Sequence, residues 1–199
     1  IIGTLSGMLF GLAGCAGDLL DTSPSYSFSS SNVWTSPILA RAAVMGVYNE
    51  LYEKFSKNYD SPSIGIPFDA WSSVMDIDMN WKNNCFVISG SCTPSNGNVG
   101  NHYKYYYTIV YRANDVINNI DNVPEMEDSE KARLKAECKF LRAWAYYHLN
   151  VLWRGVPIYT ENVESSEATK ARSSEAEVWD QVLSDLTDCI NEPSLPGKY

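Results

Sequence analysis

Residues 129–153 constrain the fold most. Leu134, Cys138, Leu141, Ala145, His148 and Leu152 recur at alternating spacings of four and three, which places them on one side of a helix. Ala136, Phe140, Ala143 and Tyr147 form a second apolar stripe beside the first. A helix over 129–153 is therefore expected to be covered on two sides. Gly155 and Pro157 end it.

Three further helices follow from the same reasoning. Thr35-Ser36-Pro37 supplies a hydroxyl cap and a proline in the first turn, and Val44, Tyr48, Leu51 and Phe55 give an apolar side to a helix over about 37–56. A helix over about 101–121 carries Tyr103, Tyr107, Val110, Asn114 and Ile117 on one face. Tyr106, Val110, Ala113, Ile117 and Ile120 mark the adjoining face. Ser174 and Glu177 stand in capping-box spacing ahead of Val178, Val182, Leu186 and Cys189. Asn191, Pro193 and Pro196 close that fourth helix. The expected class is all-α, with stacked helical hairpins in preference to a closed bundle.

The amino-terminal residues read differently. IIGTLSGMLFGLAGC is an apolar stretch too short to span a bilayer, and it runs into Leu12-Ala13-Gly14-Cys15, which has the form of a bacterial lipobox. In that form small residues fit the signal-peptidase subsite, and the Cys15 thiol takes a diacylglyceryl group. The expected division is a signal over 1–14, with its basic start missing, a lipidated Ser-rich tether over 15–34, and a folded region over 35–199. That region is expected to be incomplete at its carboxy end. Such a chain is anchored to a membrane through lipid and does not cross it.

Five cysteines are present, and assigning Cys15 to lipid leaves Cys85, Cys92, Cys138 and Cys189. Cys85 and Cys92 flank FVISGS, an interval short enough for a disulfide-closed loop, with two free thiols as the alternative. Cys138 and Cys189 fall on apolar helix faces and are expected to be buried thiols. Fifteen Lys and Arg against 24 Asp and Glu give a net charge of −9, which argues against nucleic-acid binding, since that rests on a basic surface.

Several stretches carry a family resemblance. Cys15 with Asp18-Leu19-Leu20-Asp21 and Pro24, then Tyr111-Arg112-Ala113-Asn114-Asp115-Val116-Ile117, resemble the start of SusD/RagB-type outer-membrane lipoproteins of Bacteroidetes. Ala136-Glu137-Cys138-Lys139-Phe140-Leu141-Arg142-Ala143-Trp144-Ala145-Tyr146-Tyr147, continuing to Gly155-Val156-Pro157, is similar to that family's AExKFLRAxxYYxL and GVP signature. Arg172-Ser173-Ser174 and Glu177-Val178-Trp179 resemble its next helix. Cys138 departs from the small residue usual there, and Trp153-Arg154 stands where a glycine pair before the valine is more frequent. The resemblance implies tetratricopeptide-like helical hairpins with irregular binding loops, and an amino-terminal portion of a longer protein. It also implies capture of oligosaccharides or other nutrients at the outer-membrane surface, for a SusC-like TonB-dependent transporter.

Candidate ligand contacts lie between the first and second helices, where residues 67–101 show little helical periodicity. Indole stacks on the C–H faces of a sugar and amides bond its hydroxyls, so Trp81 with Asn84 three residues on is the leading contact, followed by Trp71 and Asn83. Packing of these tryptophans onto the helices is the competing reading. Asp76-Ile77-Asp78-Met79-Asn80 opens like an EF-hand loop, but Trp81 replaces the glycine and Val87 the bidentate Glu, so no metal site of that kind is expected. His148 reads as a core histidine. No HExxH, G-x-S-x-G or phosphate loop is present, and no cofactor is expected. Glycan binding without catalysis ranks first, a helical scaffold for protein partners second, and a glycoside hydrolase third.

Overall fold

The computed structural model describes residues 32–56, 97–162 and 169–196. A 3-10 turn at Val33–Thr35 leads into α1 (Pro37–Ser56). There follow α2 (Gly97–Asn119), a 3-10 turn at Ile120–Asn122, α3 (Asp128–Trp153) and α4 (Glu175–Asn191). All four helices fall where periodicity and caps place them, although α2 begins at Gly97, ahead of the expected start near 101. At the α4 start the Ser174 hydroxyl accepts from the Glu177 backbone N–H, while the Glu177 carboxylate accepts from the Ser174 N–H. This reciprocal pair satisfies two of the donors that a helix start leaves open.

α3 is the central element, packed against α1 and α2 on one side and α4 on the other. Leu134, Cys138, Leu141 and Ala145 are buried as the first stripe requires, against Ala40, Val44 and Val47 of α1 and Tyr106, Ile109, Val110 and Ala113 of α2 in one continuous core. The second stripe is corrected by the structure. Ala136 and Ala143 are buried, but Phe140 and Tyr147 remain half-exposed. The row buried beside the first stripe is instead Arg142, Tyr146 and Asn150, polar-ended side chains one turn apart. Of the two candidate core thiols, Cys138 is fully buried, with burial pushing its pKa up to about 12. Cys189 is half-buried and donates its S–H to the Ala136 carbonyl at 3.1 Å.

The residues after α3 form a strap whose backbone is satisfied by side chains. Tyr107 donates to the Pro157 carbonyl (2.6 Å), Asn114 to Tyr159 (3.0 Å) and Asn118 to Thr160 (3.2 Å), all from α2. The Tyr146 hydroxyl donates to the Tyr159 carbonyl at 3.0 Å and accepts from the Tyr159 N–H at 2.7 Å. α3 stops because Arg154 enters the left-handed region (φ 52°) and Gly155 continues in it (φ 87°). Gly155 is also required by space, since a Cβ there would lie 2.5 Å from the Ser173 carbonyl oxygen. Arg172 caps the same end of α3, with Nε donating to the Gly155 carbonyl (2.6 Å) and Nη2 to those of Trp153 and Arg154. The Gly155-Val156-Pro157 and Arg172-Ser173-Ser174 stretches thus form one junction, closed by the Ser173 N–H donating to the Val156 carbonyl at 3.3 Å.

Candidate functional site

Trp71, Trp81, Asn83 and Asn84 lie outside the described residues, as do Cys15, the Cys85/Cys92 pair and the Asp76–Asp78–Asn80 run. What the described residues supply is the frame on either side of 57–96: the end of α1 and the start of α2. The first turns of α2 are unusually aromatic, and the structure gathers their rings with those of α3. Tyr103 lies 4.8 Å from Tyr107 and meets Trp153 edge-on at 5.2 Å between centroids. Tyr106 is fully buried among Trp144, His148 and Trp153, with its ring stacked on the imidazole at 5.4 Å. Tyr103 and Trp153 are only partly covered. They form an aromatic edge of the kind that stacks on a sugar ring.

Electrostatics follow burial in this cluster. Loss of water raises the phenol pKa values of Tyr105, Tyr106, Tyr107 and Tyr146, so all four stay neutral. The same loss lowers His148 to about 4, leaving a neutral imidazole in an aromatic setting. His148 is thus a core histidine, as its position on the apolar stripe implies. Among the described residues no group of three or more His, Cys, Asp or Glu side chains is arranged to hold a metal ion.

A second feature lies inside the helical frame. Arg142, 5% exposed, grips Asp185 of α4 with two bonds, Nε to Oδ2 at 2.8 Å and Nη2 to Oδ1 at 2.6 Å. Its Nη1 donates to Asn114 Oδ1 of α2 at 2.7 Å. Asn114 in turn donates to the strap, so one buried side chain ties α2, α3, α4 and the strap together. The forked, planar guanidinium suits this task, since it presents two parallel donors to a carboxylate and a third elsewhere. The network positions helices and is closed to solvent.

The third feature is a surface groove of about 560 Å³ between the start of α3 and the end of α4. Lys131, Lys135 and Lys139 line it one turn apart, and each is already engaged. Lys131 donates to the Asp121 carbonyl, Lys135 pairs with the Asp121 carboxylate, and Lys139 pairs with Asp188 at 2.5 Å. Asp128 and Glu192 add further negative charge to the lining. The balance is unfavourable to an anionic ligand, and the pairs hold α3 against its neighbours.

Comparison with known proteins bears directly on this architecture. The family model for SusD-like proteins, described as starch-binding and associating with the outer membrane, matches residues 18–195. A SusD-like protein of Formosa agariphila is 26% identical over 187 residues, which is 90% of this chain and 35% of the relative. A SusD-like protein of Bacteroides ovatus is 26% identical over 192 residues, 94% of this chain and 34% of the relative. The chain therefore spans about a third of the length of these curated relatives. Among solved structures, a laminarin-binding SusD-like protein superposes with a TM-score of 0.68 at 24% identity, covering 80% of this chain and 34% of that one. That likeness places the α1–α4 arrangement within a known helical fold.

Proposed function

The chain belongs to the SusD-like family of outer-membrane-associated starch-binding proteins, and from that membership we propose that it serves as a surface glycan-binding protein. The observation that carries the reading is the family match across 18–195, on a scaffold whose helices fold as the sequence requires. A solved neighbour named as a laminarin-binding SusD-like protein supports a glycan as the ligand class. Trp81 and Trp71 would stack on sugar faces, and Asn83 and Asn84 would bond their hydroxyls. Delivery to a SusC-like TonB-dependent transporter, with tethering of the surface-exposed protein to the outer membrane through lipidated Cys15, completes the proposal.

Calorimetric titration of the complete protein against a polysaccharide panel tests it. Binding of at least one glycan is expected, weakened by about 1 to 3 kcal/mol in Trp81→Ala. No affinity for any glycan, together with retained transporter binding, would favour the scaffold reading. Release of reducing sugar would favour hydrolysis. Loss of membrane attachment in Cys15→Ala checks the anchor, and persistent attachment would reject it.

A further inference from the structure

Charge is distributed unevenly along this acidic chain. No Asp or Glu occurs from Gly97 to Asn114, which is most of α2, or from Cys138 to Thr160, which takes in the second half of α3 and the start of the strap. Of the Lys and Arg in these stretches, Arg112 is matched by Glu50, Lys139 by Asp188 and Arg142 by Asp185. Lys104 and Arg154 are exposed and form no ion pair among the described residues. Glu175 and Glu177 head α4 near this end, but Glu177 is held by Ser174 and neither pairs with Arg154. Each of the two unmatched cations directly follows one ring of the aromatic edge. Lys104 follows Tyr103 and Arg154 follows Trp153, and the two rings meet at 5.2 Å. Backbone strain is a second, independent observation. Arg154 stands in the left-handed region at φ 52°, which glycine would hold with less strain. A long cation kept at such a position points to a use for its side chain. That use is not to cap α3, because Arg172 already bonds the carbonyls of Trp153, Arg154 and Gly155 and offsets the negative end of the helix.

We propose that the Tyr103–Trp153 edge, with Arg154 and Lys104, is a subsite for sugar units that carry a carboxylate or a sulfate ester. It rests on the glycan-binding reading above and narrows the ligand class to anionic glycans. The rings take the C–H side of a pyranose, while the guanidinium presents paired donors to two oxygens of the acid group. An anion at this edge meets no opposing acid from either stretch. The groove at the other end of α3 differs, since Asp121, Asp128, Asp188 and Glu192 line it. Tyr103 lies within two turns of Gly97, where the stretch that carries Trp81 and Asn84 rejoins the frame.

Calorimetric titration of the complete protein tests this, with uronate-bearing and sulfated oligosaccharides each set beside its carboxyl-reduced or desulfated form. At least one charged oligosaccharide is expected to bind more tightly than its neutral form, with an affinity that added salt weakens. Arg154→Gln is expected to weaken that binding by about tenfold, the loss of a charge-assisted bond. Lys131→Gln, which removes the same charge at the opposite end of α3, is expected to leave it unchanged. A preference for the neutral forms, wild-type affinity in Arg154→Gln, or equal losses in the two variants would overturn the subsite and leave the glycan reading standing. Binding of no oligosaccharide of either kind would overturn both.

Discussion

Replacing Arg142 by Met should be among the most damaging single changes available to this fold. Arg142 is 5% exposed and Asp185 only 2%, so truncation leaves a buried carboxylate with neither of its two charge-assisted bonds and also strips Asn114 Oδ1 of its donor. Breaking one side of a buried pair costs about 3 to 5 kcal/mol, a large share of the roughly 5 to 15 kcal/mol that holds a typical domain. Asp185→Leu alone should cost a similar amount, because it strands the guanidinium. The double replacement removes both charges at once, and an apolar pair of similar volume recovers most of the loss. Only the orphaned Asn114 carbonyl remains, at about 1 to 2 kcal/mol. Urea unfolding followed by tryptophan fluorescence on the four proteins of this cycle gives the coupling directly. A double variant whose loss equals the sum of the singles, or singles that each cost under about 1 kcal/mol, would refute the assignment of Arg142–Asp185 as the clamp between α3 and α4.

Gly155→Ala combines a left-handed φ of 87° with a Cβ placed 2.5 Å from the Ser173 carbonyl. A loss of about 2 to 4 kcal/mol is expected by chemical denaturation. One residue earlier the sign reverses, because Arg154 is exposed and sits at φ 52°. Arg154→Gly should therefore stabilise by about 0.5 kcal/mol, read as a rise in the urea midpoint. His148 makes the fold acid-sensitive, since its folded pKa of about 4 lies below the ordinary 6.5. Its contribution is intact above pH 6.5 and is lost as pH falls towards 4, where the unfolded chain binds the proton that the folded protein excludes. With partial solvent access discounting the effect, wild type should lose about 1 kcal/mol more than His148→Phe between pH 7 and pH 5. Equal losses in the two proteins would contradict this.

The helices were legible because their signals are local. Proline at the head of α1, the Ser174/Glu177 box and the three-four spacing of apolar residues act within one or two turns, and tertiary contacts reinforce them. The choice of faces on α3 was only half legible. Ala136 and Ala143 are buried, but Phe140 and Tyr147 share their stripe and stay half-exposed. A stripe records that apolar residues are aligned and says nothing about which neighbour arrives. Arg142, Tyr146 and Asn150 do not read as a buried row in the sequence, because polar ends usually mark a solvated side. Their one-turn spacing is the available signal. Asp185 and Asn114 could not have been paired with Arg142 in advance, since they lie 43 and 28 positions away. The proposed sugar contacts at Trp71, Trp81, Asn83 and Asn84 rest on residue chemistry and on the family, because a stretch without periodicity offers no register from which to place a side chain.

The junction after α3 also governs how this scaffold tolerates changes in length. Val156 is tied to Ser173, Gly155 to Arg172, and Lys170 reaches both the Ile158 carbonyl and the Tyr159 ring. Those fastenings fix the departure of the strap and the arrival of α4 independently of the chain joining Asn162 to Thr169. Doubling the length of such a connection costs only about 0.6 kcal/mol in closure entropy. Residues could be added or removed there without moving Asp185 relative to Arg142, which makes this connection a natural place for insertions to accumulate while the helical frame stays in register.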